Sequence, residues 1–388
     1  MAVRWRTKLA VIAAGGLLVS GCASFPQQPP PENWQPQEQL TPQAAPDPQV
    51  PGGSESPGQG GDQQEPTEVP PPDGCKDFNR TVIGTCLDTI TAVAALPGDG
   101  QHPVALVGER RTGRILRVQP GAAPELVAVV PVDSSTDGGL TGLALSPAYA
   151  EDQLIFAYIT TASDNRVVRI APGDTPKPVL TGIPRGATGN RGSLAQDRRG
   201  GLLVATGDAG SPTSAGDLNS LAGKVLMIDT AGQPTVGSSA VVAGGLRSPG
   251  GICSSMDGQH LWVTDRAASA DVLYKIQPGQ PLGAPAWTWP ERPGVAGCAS
   301  TPEVMWVFME AEASQHSLPM TTEGTFTDKP TVSMAPPGGF GRWGAVDLVN
   351  ESMGIAGTVN KSGGTPVSSD DRAVVIVFPQ GGGTPDKD

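Results

Sequence analysis

The chain has 388 residues, a net charge of −12 and only 16% charged residues, so it lacks the clusters of Lys and Arg that phosphate binding needs. This composition argues against a nucleic-acid partner. The 52 Gly and 40 Pro residues make up about a quarter of the chain, which indicates many turns and argues against helical bundles and coiled coils.

The N-terminus has the pattern of an export signal. Arg4, Arg6 and Lys8 precede the apolar run 9–19, which is too short to span a bilayer, and Ser20 and Gly21 then lead into Cys22. Small residues before a Cys resemble a bacterial lipoprotein signal. The pattern therefore predicts a signal peptide over residues 1–21 and a lipidated Cys22, whose acyl chains hold the exported protein at the outer face of the plasma membrane. The alternative is an ordinary secretory signal in which Cys22 is incidental.

Residues 23–74 have the composition of a disordered segment. They contain fourteen Pro and eight acidic residues, with no Lys or Arg. Such a segment cannot bury enough apolar surface to fold, and its proline content keeps it semi-extended. Residues 22–74 are therefore predicted to be a lipidated, Pro-rich, acidic tether that spaces a folded domain from the membrane. Binding of this segment to a proline-recognising module is the alternative.

A short strand motif recurs six times in residues 75–388. Its copies are spaced 46 to 59 residues apart and begin at Thr91, Gly142, Gly192, Gly251, Gly297 and Gly344. Periods near 40 to 50 residues that hold several short strands are typical of β-propellers. The sequence therefore predicts an all-β fold, a six-bladed propeller over residues 75–388.

Further apolar, β-branched runs supply the other strands of each unit. Second strands are predicted at 104–109, 154–160, 202–208, 261–265, 304–310 and 354–359. Third strands are predicted in five units, at 114–118, 166–170, 224–228, 272–276 and 373–378, and fourth strands at 126–130, 179–183, 240–243, 286–289 and 331–334. The sixth unit lacks a fourth strand, so the spare strand at residues 80–84 is predicted to complete that blade and close the ring. A two-sheet sandwich is the alternative, but about 24 strands are too many for it.

Four cysteines remain once Cys22 is set aside, and an oxidising compartment favours their pairing. We prefer a bond between Cys75 and Cys86, which closes a small loop beside the closing strand. The other two, Cys253 and Cys298, stand in equivalent first strands of adjacent units, so we expect them to pair. Free buried thiols are the alternative. A metal site is not expected, because no Cys or His lies at ligand spacing.

Several sequence motifs resemble those of the glucose/sorbosone dehydrogenase family, and the resemblance runs in order over about residues 88–378. The motifs are Gly108-Glu-Arg-Arg-Thr-Gly-Arg-Ile, Asp137-Gly-Gly-Leu-Thr-Gly-Leu-Ala, Leu203-Val-Ala-Thr-Gly-Asp-Ala-Gly, Leu221-Ala-Gly-Lys-Val-Leu, Gly245-Leu-Arg-Ser-Pro-Gly-Gly and Leu261-Trp-Val-Thr-Asp. The resemblance implies a six-bladed propeller that binds pyrroloquinoline quinone (PQQ) and calcium and oxidises sugars. The order of lipobox, Pro-rich segment and propeller also resembles a mycobacterial lipoprotein.

The residues that the resemblance implies for catalysis are largely missing. The family's His base aligns with Gly189, and neither Thr188 nor Asn190 is a base at neutral pH. The calcium loop expected after Asp265 is also missing. The family's fifth-blade Lys falls within 307–312, which contains no Lys, and its paired sixth-blade arginines fall near 341–343, which contains one Arg.

Other positions of the cofactor site are retained or conservatively changed. Arg247 matches a family Arg, although Ser248 follows it in place of an Asn, and Trp289 matches an aromatic that packs on the quinone. We therefore predict no catalytic residues and no cofactor. The protein is predicted to be a binding or scaffold module for an envelope saccharide or protein, with a pocket lined by Asp137, Asn190, Asp208, Arg247, Asp265 and Trp289.

The alternative prediction is an active PQQ- and calcium-dependent aldose dehydrogenase. It needs a substitute for the missing His base, and Asp137 or Asp208 is the acid that the sequence offers. A third possibility is an envelope spacer without a small ligand.

Overall fold

The computed structural model describes residues 69–98, 100–334 and 339–379. The predicted signal peptide, Cys22 and most of the predicted tether lie outside these residues. Within the described part of the chain, no helix is long and apolar enough to cross a membrane. Two short helices occur there, α1 (Tyr149–Asp152) and α2 (Pro212–Gly216), and all other regular structure is β-strand.

The described strands form six four-stranded antiparallel sheets, numbered here as blades by the chain order of their innermost strands. Blade 1 consists of β2 (Ile90–Ala95), β3 (Ala105–Glu109), β4 (Arg114–Val118) and β5 (Glu125–Val129). Blade 2 consists of β6 (Leu140–Leu145), β7 (Ile155–Thr160), β8 (Asn165–Ile170) and β9 (Lys177–Ile183). Blade 3 consists of β10 (Gly192–Asp197), β11 (Gly201–Thr206), β12 (Lys224–Ile228) and β13 (Val241–Gly244). Blade 4 consists of β14 (Pro249–Ser254), β15 (Leu261–Arg266), β16 (Asp271–Ile276) and β17 (Trp287–Trp289). Blade 5 consists of β18 (Val295–Ser300), β19 (Val304–Met309), β20 (Ser314–Pro319) and β21 (Thr331–Met334). Blade 6 consists of β22 (Trp343–Asn350), β23 (Met353–Thr358), β24 (Ala373–Val377) and β1 (Val82–Gly84).

This architecture confirms the predicted six-bladed propeller and its closure. The N-terminal strand β1 pairs with β24, with Val82 opposite Val374, and so becomes the outermost strand of blade 6. The two ends of the chain thereby share one sheet, and the last blade gains its fourth strand from the start of the domain.

The sequence prediction missed one strand, β20 in blade 5. Its buried positions include Ser314 and His316 as well as Leu318, while the residues between them are only partly buried. The alternation of a strand is therefore present, but two of the inward-facing side chains are polar. A search for apolar runs does not detect such a strand.

The core is divided among the six contacts between neighbouring blades. Each contact holds its own cluster of buried side chains, from Leu140 and Ile155 between blades 1 and 2 to Ile83 and Ile355 between blades 6 and 1. Burying these faces contributes about 25 cal/mol for each Å² of apolar surface removed from water. Because each blade covers only its two neighbours, the fold requires the closed ring.

The innermost strands pack closely around a central channel of about 300 Å³. A Cβ at Gly297 of β18 would lie 2.6 Å from the backbone nitrogen of Val346 in β22, so a side chain at this position would push blades 5 and 6 apart. This close approach explains why glycine recurs in the strand motif from which the propeller was predicted.

Both predicted disulfides are present. Cys75 bonds Cys86 next to the closing strand, and Cys253 bonds Cys298 between the inner strands of blades 4 and 5, with Cα atoms 5.9 Å apart. The second bond links two blades whose inner strands are already neighbours, and in the chain-entropy model a loop of this length stabilises the fold by roughly 4 kcal/mol.

Candidate functional site

The antiparallel register of every blade brings functional side chains to one end of the channel. The start of each inner strand lies opposite the end of the second strand, as in the pairs Ile90 with Glu109, Pro249 with Asp265 and Val295 with Met309. Residues just before an inner strand and just after a second strand therefore meet at the same end. We call this end the mouth.

Four charged residues from four blades meet at the mouth. Glu310 of blade 5 accepts from Arg191 of blade 3 at 3.0 Å and from Arg266 of blade 4 at 2.6 Å through Oε2, and from Arg342 of blade 6 at 3.3 Å through Oε1. We call these four residues the Glu310 cluster. One carboxylate thus neutralises only part of the charge of three guanidinium groups, and the cluster has an excess of positive charge.

The electrostatics of the cluster follow from its partial burial. Burial alone opposes ionisation of Glu310, but Arg191 and Arg266 outweigh it and hold the pKa of the carboxyl far below its ordinary value. Burial, and next the repulsion from Arg191, lower the pKa of Arg266. Burial and Arg191 likewise lower the pKa of Arg110, which contributes a further cation from blade 1. Arginines from four blades therefore surround one carboxylate at the mouth.

Two of the predicted pocket residues, Asp137 and Asn190, stabilise a loop at the mouth. Asp137 accepts from the backbone nitrogens of Gly189 at 2.9 Å and Asn190 at 3.2 Å. The Asn190 amide is fully buried, donates to Asp137 and Thr136, and accepts from the backbone of Gly186. Both side chains are thus committed to loop structure, and Asp137 has backbone donors on both of its oxygens.

The loop leaves no room for a side chain at position 189, where the family resemblance implies a catalytic His. Gly189 has a φ of +71°, and a Cβ there would lie 2.4 Å from Oδ1 of Asp208 and 2.9 Å from two backbone nitrogens. Asp208 is itself buried, and its Oδ1 accepts from the nitrogen of Gly210 at 2.7 Å. A base could occupy position 189 only if this backbone moved.

Asp265 and Arg247 are adjacent on the blade 4 side of the mouth. The Asp265 carboxylate is fully buried and accepts from the backbone nitrogens of Arg247 and Ser248, the latter at 2.7 Å. Burial raises the pKa of Asp265 to about 6 despite these donors, and Asp208 adds to the increase. The Arg247 guanidinium is exposed at the rim, where it remains available to a ligand.

The structure places Trp289 apart from the other predicted pocket residues, so its assignment to the mouth needs correction. It lies on β17, the outermost strand of blade 4, and is buried against blade 5. Its indole N–H donates to Nδ1 of His316 at 3.0 Å. The reason is topological, because the fourth strand of a blade is the one farthest from the channel. Asp137, Asn190, Asp208, Arg247 and Asp265 do come together at the mouth.

Sequence reasoning missed the Glu310 cluster, although a positional signal was available. Arg110 and Glu310 directly follow second strands, Arg266 ends one, and Arg191 and Arg342 directly precede inner strands. Once the repeat is known, a charged residue that recurs at these two positions is expected to face the mouth.

The comparisons with known proteins agree with this fold. The sequence model of the Glucose / Sorbosone dehydrogenase family matches residues 87–297, more than half of the chain. The aldose sugar dehydrogenase YliI of Escherichia coli K12 is 26% identical over 234 aligned residues, and the match covers 54% of this chain and 62% of that protein. The match therefore spans less than two thirds of the relative.

Two solved structures resemble the propeller as a whole. The PQQ-bound aldose sugar dehydrogenase of Streptomyces coelicolor is 27% identical, with a TM-score of 0.70 over 79% of this chain and 99% of that one. An oxidoreductase (glucose dehydrogenase) of Thermus thermophilus is 26% identical, with a TM-score of 0.67 over 76% and 98% of the two chains.

Proposed function

Because the chain belongs to the glucose/sorbosone dehydrogenase family, we propose that it keeps the family's propeller as a binding module without the oxidation chemistry. Its mouth is proposed to take an envelope component, of which an acidic saccharide fits better than a protein segment. The exposed Arg247 guanidinium at the rim favours a carboxylate or phosphate of the ligand. The arginines of the Glu310 cluster are already paired with its carboxylate and are not assigned to the ligand.

The observation that carries this proposal is the Glu310 cluster. PQQ is a tricarboxylate, and its binding requires guanidinium groups free to donate hydrogen bonds to its carboxylates. Here the carboxylate of Glu310 already engages Arg191, Arg266 and Arg342, so a further carboxylate of a bound quinone would meet a like charge. The residues present do not fit the cofactor, and the strained glycine at position 189 supports the loss of the base.

The alternative is a PQQ- and calcium-dependent aldose dehydrogenase, which the names of the relatives favour. Its substitute base would be Asp137 or Asp208. Each of these carboxylates accepts from backbone N–H groups, so proton transfer to either would weaken hydrogen bonds that fix the loop. This geometry favours the binding module.

The lipid anchor and cell-envelope location are part of the same proposal. The lipobox pattern ending at Cys22 and the Pro-rich acidic segment after it support export and attachment to the outer face of the plasma membrane. The membrane, through the lipidated N-terminus, and an envelope saccharide or protein are the proposed partners.

Two measurements on the purified full chain test this proposal. The first is dye reduction with a panel of aldoses after addition of PQQ and calcium, with the Streptomyces coelicolor enzyme as the positive control. We expect no turnover, and aldose-dependent turnover would favour the dehydrogenase instead. The second is calorimetric titration with oligogalacturonate, which we expect to bind the native chain and to bind at least fivefold more weakly to Arg247→Ala.

A further inference from the structure

A second cleft lies outside the mouth, at the boundary of blades 4 and 5. It has a volume of about 620 Å³ and combines aromatic, carboxylate and guanidinium side chains. We call it the tryptophan cleft, and its principal residues are Trp287, Thr288, Trp289, Arg292, Glu312 and His316. Pockets lined by aromatic rings with a few fixed polar groups are typical ligand sites.

A chain of hydrogen bonds fixes the carboxylate of this cleft. The indole N–H of Trp289 can only donate, so Nδ1 of His316 is the acceptor and the imidazole proton lies on Nε2. That proton is donated to Oε2 of Glu312 at 3.0 Å, and Ser314 donates to the same oxygen at 2.9 Å. Oε2 is thereby occupied, while Oε1 of this exposed residue is left to accept from a ligand.

The charges of the cleft indicate a neutral, hydroxyl-rich ligand. Glu291 and Glu312 disfavour an anion, and Arg292 disfavours a cation. A hydroxyl group, in contrast, can donate to the carboxylates and accept from the guanidinium. Trp287 is half-buried, with Phe326 against it at a centroid distance of 6.4 Å, and it is the more accessible of the two indoles because Trp289 is 4% exposed. A single flat indole is suited to stacking against a ring, whereas a quaternary ammonium group needs several faces around it.

We propose that the tryptophan cleft binds a neutral saccharide, with a sugar ring on Trp287 and its hydroxyls on Glu312. Trp289 and His316 act as positioning residues that hold the Glu312 carboxylate. This site is separate from the proposed ligand site at the mouth, since its groups come from β17, β20 and the loops beside them and include no member of the Glu310 cluster, although Glu312 follows Glu310 by two residues.

The test is binding of the full chain to an array of neutral and acidic oligosaccharides, followed by calorimetry with the neutral glycan that binds best. The informative variants are Trp287→Ala, which removes the stacking face, and Glu312→Gln, which keeps the shape but replaces the carboxylate. Glu303→Gln, an exposed acid elsewhere on blade 5, is the matched control, and Arg247→Ala tests the mouth.

We expect Trp287→Ala and Glu312→Gln each to weaken neutral-glycan binding at least tenfold, and Glu303→Gln and Arg247→Ala to change it less than twofold. Nitrogen NMR of the native chain should find the His316 proton on Nε2. Three results would overturn the proposal: no neutral glycan bound, binding lost with Arg247→Ala instead, or choline bound in place of a glycan.

Discussion

The Glu310 cluster predicts that Glu310→Gln destabilises the propeller. The substitution keeps the size of the side chain but removes the one negative charge that Arg191, Arg266 and Arg342 share. The three guanidinium groups, with side chains 15% to 24% exposed, would then repel one another, and solvent would screen this repulsion only weakly. The loss therefore affects contacts among four blades at once.

The magnitude follows from the burial of the pair. Removing one partner of a fully buried ion pair costs about 3–5 kcal/mol, and the partial exposure of these arginines, with the amide oxygen that Gln retains, reduces this to about 2–4 kcal/mol at pH 7. In a domain of this size each kcal/mol lowers Tm by roughly 2 °C, so we expect a decrease of about 4–8 °C.

The pH dependence has a definite sign. The pKa of Glu310 is lowered in the folded state, so its stabilisation is complete above the ordinary value of 4.5 and is lost as pH falls towards the folded pKa. The difference between native protein and variant should hold from pH 8 to pH 5 and shrink below that.

Urea unfolding, followed by tryptophan fluorescence at several pH values, measures this difference, with Glu303→Gln as the exposed control expected to lie within about 0.5 kcal/mol of the native protein. An equal or higher free energy of unfolding for Glu310→Gln at pH 7 would refute the reasoning. The desolvation penalty of the Glu310 carboxylate would then be at least as large as the stabilisation from its ion pairs.

Three further predictions concern the mouth and the anchor. Burial raises the pKa of Asp265 to about 6, so its stabilisation is present below the ordinary value of 3.8 and lost as pH rises through 6. Asp265→Asn should therefore be about 1–3 kcal/mol more stable than the native protein at pH 7.5 and no more stable at pH 4 by thermal unfolding. Gly189→Ala should cost about 2–4 kcal/mol, because its Cβ meets Asp208, whereas Gly173→Ala, at the same φ of +71° in open space, should cost about 1 kcal/mol; similar losses for both would contradict the crowding at 189. Cys22→Ser should move the protein from the membrane fraction to the culture medium on immunoblots, and continued membrane retention would contradict the lipid anchor.

The features that were predicted correctly depend on residues close together in the sequence. The features that were missed depend on contacts between residues that are far apart in the sequence. Strand β20 was missed because the polar side chains of Ser314 and His316 face inward. The burial of His316 is explained by its hydrogen bond with Trp289 of β17, which the pattern of β20 itself does not show. Trp289 was assigned to the mouth by alignment, yet its strand lies at the outer edge of its blade.

The sequence by itself determined the repeat, the number of blades, the closing strand and the cysteine pairs, because strand alternation, turn residues and the spacing of repeats are local signals that each blade carries within its own stretch of chain. Only the tertiary structure decided which charges meet. Glu310 contacts arginines that are 119, 44 and 32 residues away in the sequence, and these residues come together only when six blades form a ring. Trp287 and Glu312 share a cleft for the same reason, since each comes from a different blade and neither carries in its local sequence the position of the other.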